Sequence, residues 1–186
     1  EEALSSKMDI KAFIFDMDGL LFDSERIVQR SWEMAGDELE IPHMGDVIYH
    51  TLGMNRTGRN EYFRKYIRED FPFEEFGRLT RDNFWRIVDK EGLPLKKGVK
   101  ELLAYGKEQG YKMAVATSSS REYAMGNLIR AGIDPYFDSV ICGDMVKKAK
   151  PDPEIYQKAS ESLRIPPEYC MAFEDAPGGI LSAHQA

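Results

Sequence analysis

The chain has 186 residues, 25 basic and 32 acidic side chains and a formal net charge of −7. Hydrophobic residues make up 42%, enough for a buried core, so general disorder is excluded; the length suits one domain, or two smaller than the usual ~100–150 residues. No run approaches the ~18 uncharged apolar residues of a membrane span, and the acidic balance argues against a general nucleic-acid binder, which carries a basic face.

The opening EEALSSK is polar and charged, unlike a secretory signal. Residues 1–7 read as an expression remnant and Met8 as a native start. Residues 10–15, Ile-Lys-Ala-Phe-Ile-Phe, are short, β-branched and aromatic and predict a buried strand. The strand runs into Asp16-Met17-Asp18-Gly19, a polar stop with a glycine turn. Residues 24–91 then carry long amphipathic patterns at 25–40, 55–70 and 73–90 with no strand between them, as in a small helical bundle. Trp32, Trp85, Phe71 and Phe73 are expected in its core. His43, His50 and His184 have no ligand spacing and read as loop or surface residues. Phe22-Asp23-Ser24 and Gly92-Leu93-Pro94 read as hinges.

The next pattern, 99–109, is helical and closed by Gly110. A strand follows at 111–116, ending at Thr117-Ser118-Ser119-Ser120, then a helix at 121–131 closed by Gly132. A third strand at 139–142 ends at Gly143-Asp144. The helix at 153–163 has Asp152 as its expected N-cap and Pro153 at its first position. A fourth strand at 169–173 ends at Glu174-Asp175. Pro177-Gly178-Gly179-Ile180 opens a helix that runs out at Ala186, so the C-terminus is expected to be incomplete. Cys142 and Cys170 are too few for a disulfide framework and lack zinc spacing; both are expected to be small buried hydrophobes in a reducing compartment.

Strands alternating with helices of this length predict right-handed βαβ units and a mostly parallel sheet. The expected fold is therefore α/β: a doubly wound parallel sheet from 8–23 and 92–186, with an inserted helical domain at 24–91. The carboxyl ends of such strands face one crevice, the usual ligand site. Delivered there are Asp16 and Asp18, Thr117 and Ser118, Lys150, and Glu174 with Asp175. Hard carboxylate oxygens make Mg²⁺ the natural guest, commonly paired with a substrate phosphate. A spacing of two puts Asp16 and Asp18 on one side of an extended segment. Crowded carboxylates part in pKa or take a cation, which lets one attack while the other carries a proton. Hydroxyls and free N–H groups at a helix start bind phosphate oxygens. Each cluster taken alone has a plainer reading: turn and capping acids, an N-cap, a solvated loop lysine. Their joint occurrence in this order is what carries the chemistry.

Phe15-Asp16-Met17-Asp18-Gly19-Leu20-Leu21-Phe22-Asp23-Ser24-Glu25, Thr117-Ser118, Lys150-Pro151-Asp152-Pro153 and Phe173-Glu174-Asp175-Ala176-Pro177-Gly178-Gly179-Ile180 together resemble the haloacid dehalogenase (HAD) superfamily. More narrowly they resemble its β-phosphoglucomutase-like branch of sugar-phosphate phosphatases and mutases, which has a Rossmann-like core and a helical cap. The resemblance implies Asp16 as nucleophile, Asp18 as general acid/base, Lys150 as the neutralising cation, and Thr117 with the backbone at Ser118 as the phosphoryl clamp. It implies Mg²⁺ held by Asp16, Glu174, Asp175 and the backbone carbonyl of Asp18. Thr51-Leu52-Gly53-Met54-Asn55-Arg56 resembles the cap's specificity loop, which places Asn55 and Arg56 against the substrate.

Ala149 replaces a glycine common in the family, and Val28 stands where the mutases carry a histidine. The second departure favours hydrolysis. The expected function is a Mg²⁺-dependent phosphatase acting on a small phosphomonoester, a sugar phosphate in the first place, through an aspartyl phosphate. A phosphomutase is the alternative. A phospho-receiver domain fits poorly, because the paired acids of the first strand are Asp-x-Asp and a long helical insertion follows. The expected partner is a small phosphorylated metabolite, with no nucleic acid and no membrane, and the enzyme is expected to be a cytoplasmic monomer.

Overall fold

The computed structural model describes residues 9–51, 54 and 56–186; Asn55 lies outside the described residues. In chain order the elements are β1 (Ala12–Phe15), α1 (Ser24–Glu38), α2 (Met44–Thr51), α3 (Arg56–Tyr66), α4 (Phe73–Glu91), α5 (Val99–Glu108), β2 (Lys112–Ala116), α6 (Arg121–Arg130), β3 (Ser139–Ile141), α7 (Glu154–Leu163), β4 (Cys170–Phe173) and α8 (Pro177–Gln185). They divide into two units: Ser24–Leu93, and Pro94–Ala186 together with the segment ending at Asp23. No helix among the described residues is long and apolar enough to cross a membrane.

The α/β unit is built on a parallel sheet in the order β3-β2-β1-β4. Phe15 lies opposite Val115 on one side and Phe173 on the other, so β1 is central. That position explains its unbroken apolar run: all four residues are buried, because helices cover both faces. Ala12 and Ile14 pack with Ala114, Ile155 and Ala159 under α7. Phe13 and Phe15 face the other way. Phe13 stacks on Tyr111 with ring centroids 4.3 Å apart, and Phe15 on Phe173 at 4.8 Å. Phe15 is 2% exposed, and its burial is worth about 2–3 kcal/mol.

The helical unit closes on an aromatic core. Trp32 meets Phe63 and Phe76 edge to face at 5.7 and 5.6 Å, and Phe71 lies 4.7 Å from Phe63. Pairs in this geometry add about 0.5–1.5 kcal/mol each beyond area burial.

The structure departs from the sequence expectation in several places. Helix α2 had no signal: Gly45 and the β-branched pair Val47-Ile48 give it low propensity. Tertiary contacts hold it instead, with Met44 and Ile48 in the aromatic core and the Gly45 N–H donating to Glu33 Oε2 at 2.7 Å. Helix α1 stops at Glu38, and Glu40 adopts a left-handed φ of 58°. Trp85 is not core: it lies on the outer side of α4, 44% exposed. Cys142 is buried but Cys170 on β4 is only half-buried. Helix α7 begins at Glu154, with Pro153 one position earlier as its N-cap residue; Asp152 Oδ1 still accepts from the Glu154 N–H at 3.0 Å.

Candidate active site

Parallel pairing places the carboxyl ends of β1, β2 and β4 side by side. Asp16 follows β1 directly and donates its N–H to the Phe173 carbonyl at 2.9 Å. The Asp16 residue is 9% exposed. Lys150 arrives from the loop before α7, across a cis bond to Pro151. Its ammonium donates to Asp16 Oδ1 at 3.0 Å, to the Ala116 carbonyl that ends β2 at 3.0 Å, and to Glu174 Oε1 at 2.5 Å. Three donors meet three acceptors, so the lysine ties the ends of three strands together. Glu174 also accepts from the Tyr156 hydroxyl on α7.

Asp16, Glu174 and Asp175 each offer a carboxylate oxygen, and these atoms lie within 4.8 Å of one another. Three carboxylates face one ammonium. Burial, first of all, pushes Asp16 up to about 7; the Lys150 charge and hydrogen bond oppose the rise, and the bond to Asp175 and the charge of Glu174 add to it. A set of hard oxygens with a negative excess fits a divalent cation such as Mg²⁺, whose charge would return Asp16 to the carboxylate form. Two glycines make room for this set. Gly19 has a φ of +80°, a region that disfavours side chains, and a Cβ there would fall onto the Asp175 carboxylate. A Cβ at Gly179, in the first turn of α8, would fall onto the Glu174 carboxylate.

Asp18 turns away from that group. Its Oδ2 accepts from the Ser119 hydroxyl at 2.8 Å and its Oδ1 from the Tyr123 hydroxyl at 3.2 Å. Its side chain is therefore not among the clustered carboxylates. Thr117, 1% exposed, follows β2; its Oγ1 accepts from the Ser119 N–H at 3.1 Å, which leaves the hydroxyl proton for another acceptor. Ser118 is exposed, at the start of the same turn. Arg56 belongs to the helical unit, where it opens α3 and lines a cavity of that unit.

Sequence reasoning missed Tyr156, Tyr123 and Ser119 as site residues. Tyr156 was absorbed into the apolar stripe of α7, and it is indeed 3% exposed. Burial and the charge of Asp18 push the Tyr123 hydroxyl up, so it stays a donor; burial and Glu174 do the same for Tyr156. For Tyr123 the advance signal was its place in the first turn of the helix that follows β2.

The sequence profile of haloacid dehalogenase-like hydrolases matches residues 10–186. The phosphorylated carbohydrates phosphatase of Thermotoga maritima is 31% identical over 177 residues, which are 95% of this chain and 82% of that protein. The crystal structure of CbbY from Rhodobacter sphaeroides, in complex with xylulose 1,5-bisphosphate, superposes with a TM-score of 0.61 at 26% identity, over 94% of this chain and 82% of that one. A HAD family hydrolase from Deinococcus radiodurans, with bound phosphate and sodium, has a TM-score of 0.81 at 24% identity, over 95% and 77% of the two chains, and supports the fold alone.

Proposed function

From the premise that this chain belongs to the haloacid dehalogenase-like hydrolases, and is a hydrolase of phosphoric monoesters, we propose that it cleaves a small sugar phosphate by way of an aspartyl phosphate on Asp16. One observation carries the reading: the carboxylate of Asp16 is buried against Lys150, while Asp18, two residues on, is held apart by two hydroxyls. The two acids of one loop thus have separate surroundings, as a nucleophile and a proton carrier need.

In this mechanism Asp16 attacks phosphorus and the P–O bond to the sugar breaks. Asp18 gives its proton to the departing oxygen. Water then attacks the phosphorus of the aspartyl phosphate, its proton passes to Asp18, and inorganic phosphate leaves with Asp16 restored. Lys150 offsets charge on Asp16 and on the oxygens in flight. The Thr117 hydroxyl and the Ser118 backbone N–H orient the phosphoryl group, since such transfer depends mainly on positioning and charge neutralisation. Asp16, Glu174, Asp175 and the Asp18 backbone carbonyl would hold Mg²⁺, which would supply positive charge to offset that of the phosphoryl group. The helical unit serves as the cap that sets substrate choice, as the resemblance of its 51–56 loop to the cap's specificity loop implies.

Hydrolysis is favoured over mutase chemistry by Val28, an apolar residue packed at the edge of the aromatic core of the helical unit, where a mutase carries a histidine. Phosphorus NMR of β-glucose 1-phosphate with enzyme, Mg²⁺ and a trace of the bisphosphate tests the reading. Inorganic phosphate should be the main product, and Asp16→Asn should abolish it. Glucose 6-phosphate accumulating faster than phosphate would make the enzyme a mutase.

A further inference from the structure

Tyr156 lies in the first turn of α7 and is buried with Ile155, Ala159 and Leu163 in the cluster that packs on β1 and β2. Packing at this place asks for a ring and not for a hydroxyl: a phenylalanine would fill the same space with no polar atom to satisfy. The hydroxyl has one partner among the described residues, Oε1 of Glu174 at the end of β4. The same oxygen accepts from the Lys150 ammonium at 2.5 Å, and that ammonium stands 5.2 Å from the centroid of the Tyr156 ring. One side chain of α7 thus touches both the lysine and the acid.

An ionised carboxylate only accepts, and each of its oxygens can serve a different partner. Here two donors converge on Oε1, whereas Oε2 accepts from no donor among the described residues. The Glu174 side chain is 3% exposed, so protein groups and not water set the plane of its carboxylate. The backbone of α8 passes close to the same group at Gly179. On the reading of this site as a metal centre, we infer that Tyr156 is a positioning residue: its hydroxyl keeps Oε1 of Glu174 turned to Lys150, so that the lysine and the divalent cation take different oxygens of one carboxylate. Without the hydroxyl the carboxylate is free to turn about its last bond and to offer both oxygens together. Mg²⁺ loses by that change, because it demands near-octahedral ligands at about 2.1 Å. Ca²⁺ does not, because it takes about 6–8 ligands and accepts bidentate carboxylates. The hydroxyl therefore sets which cation is held as well as how tightly.

The test is a binding measurement on the full chain without substrate. Mn²⁺ serves as the probe, since it shares the octahedral oxygen preference of Mg²⁺, and its free form is counted by electron paramagnetic resonance. Mg²⁺ and Ca²⁺ are then titrated in as competitors. In Tyr156→Phe, which keeps the ring beneath Lys150, the Kd for Mg²⁺ should rise about tenfold, the usual scale for losing the support of a metal ligand. The Kd for Ca²⁺ should change little, so the preference for Mg²⁺ over Ca²⁺ falls about tenfold. At least the same fall is expected in Tyr156→Met, which removes the ring as well, so the result does not hang on one variant folding. A merely structural hydroxyl would weaken both cations alike and leave their ratio where it was. An unchanged ratio, in a parent that binds Mn²⁺ saturably, overturns the inference and leaves the metal site standing. A parent that binds no Mn²⁺ overturns the metal site itself, and the role of Tyr156 with it.

Discussion

Lys150→Met removes one charge and keeps most of the stem, so it isolates what the ammonium does. The lysine side chain is 12% exposed and those of Asp16 and Glu174 are 13% and 3% exposed, so solvent screens the trio poorly. Asp16 already stands at about 7 with Lys150 pulling it down; without the lysine it rises further. A carboxyl whose folded pKa is raised keeps a proton that the unfolded chain releases near its ordinary value of about 4. Folding stability therefore falls as pH rises through that window, by about 1.4 kcal/mol for each pH unit. In the parent the fall ends near pH 7, where Asp16 ionises. In the variant it continues. The stability gap between the two should then widen with rising pH above about pH 7, at a limiting slope of ~1.4 kcal/mol per unit until Asp16 ionises in the variant as well. Urea unfolding in EDTA, followed by circular dichroism across that range, measures the gap. A gap that is flat or that narrows with rising pH would refute the account of Asp16 as a buried acid restrained by Lys150.

Tyr123→Phe removes a donor to Asp18 and leaves the ring in place; kcat should fall about 3–10-fold with KM little changed, the size of one lost hydrogen bond, and an unchanged kcat would show that Tyr123 does not orient the acid. Gly179→Ala should push the Glu174 carboxylate aside and raise the Mg²⁺ concentration for half-maximal activity by about 10–100-fold, the usual effect of disturbing a ligand's support; an unchanged Mg²⁺ curve in steady-state assays would exclude Glu174 from the metal site. Exhaustive chelation should abolish turnover, and Ca²⁺ should inhibit, because it takes more ligands at longer distances. Full activity after chelation would remove the cation from the mechanism.

The sheet was legible because a central parallel strand must be apolar on both faces, and residues 12–15 satisfy that without interruption. The gathering of Asp16, Glu174 and Asp175 was legible for a related reason, while Lys150 comes from the loop before α7 and ends no strand. A polar cluster that abruptly ends an apolar run marks the end of a strand, and parallel strands bring such ends together. What stayed hidden depends on packing. Helix α2 is held by the aromatic core and not by its own propensity. Trp85 shares the periodicity of core residues yet lies outside, since an apolar stripe does not state how wide a partner covers it. Tyr156 reads as core and is core, but its hydroxyl still reaches Glu174. An amphipathic side chain has two fates at once, and sequence periodicity reports only the apolar one.

The strand that carries Glu174 and Asp175 has one hydrogen-bonded neighbour among the described residues, and Met171 on it is 42% exposed. Asp16 and Lys150 are anchored on the sheet's interior strands, so the acids come from places of unequal local stability. Strands whose residues are exposed open more readily than fully buried ones, in excursions far cheaper than global unfolding. Each opening of β4 carries off two carboxylates and leaves the other pair in place. A cation that needs all of them binds only while β4 is zipped, and by mass action it lends that strand its own binding energy. Amide hydrogen exchange along residues 170–173 would then slow with metal concentration while exchange along β1 stays constant. The strand that brings Glu174 and Asp175 thereby becomes a gauge of metal occupancy.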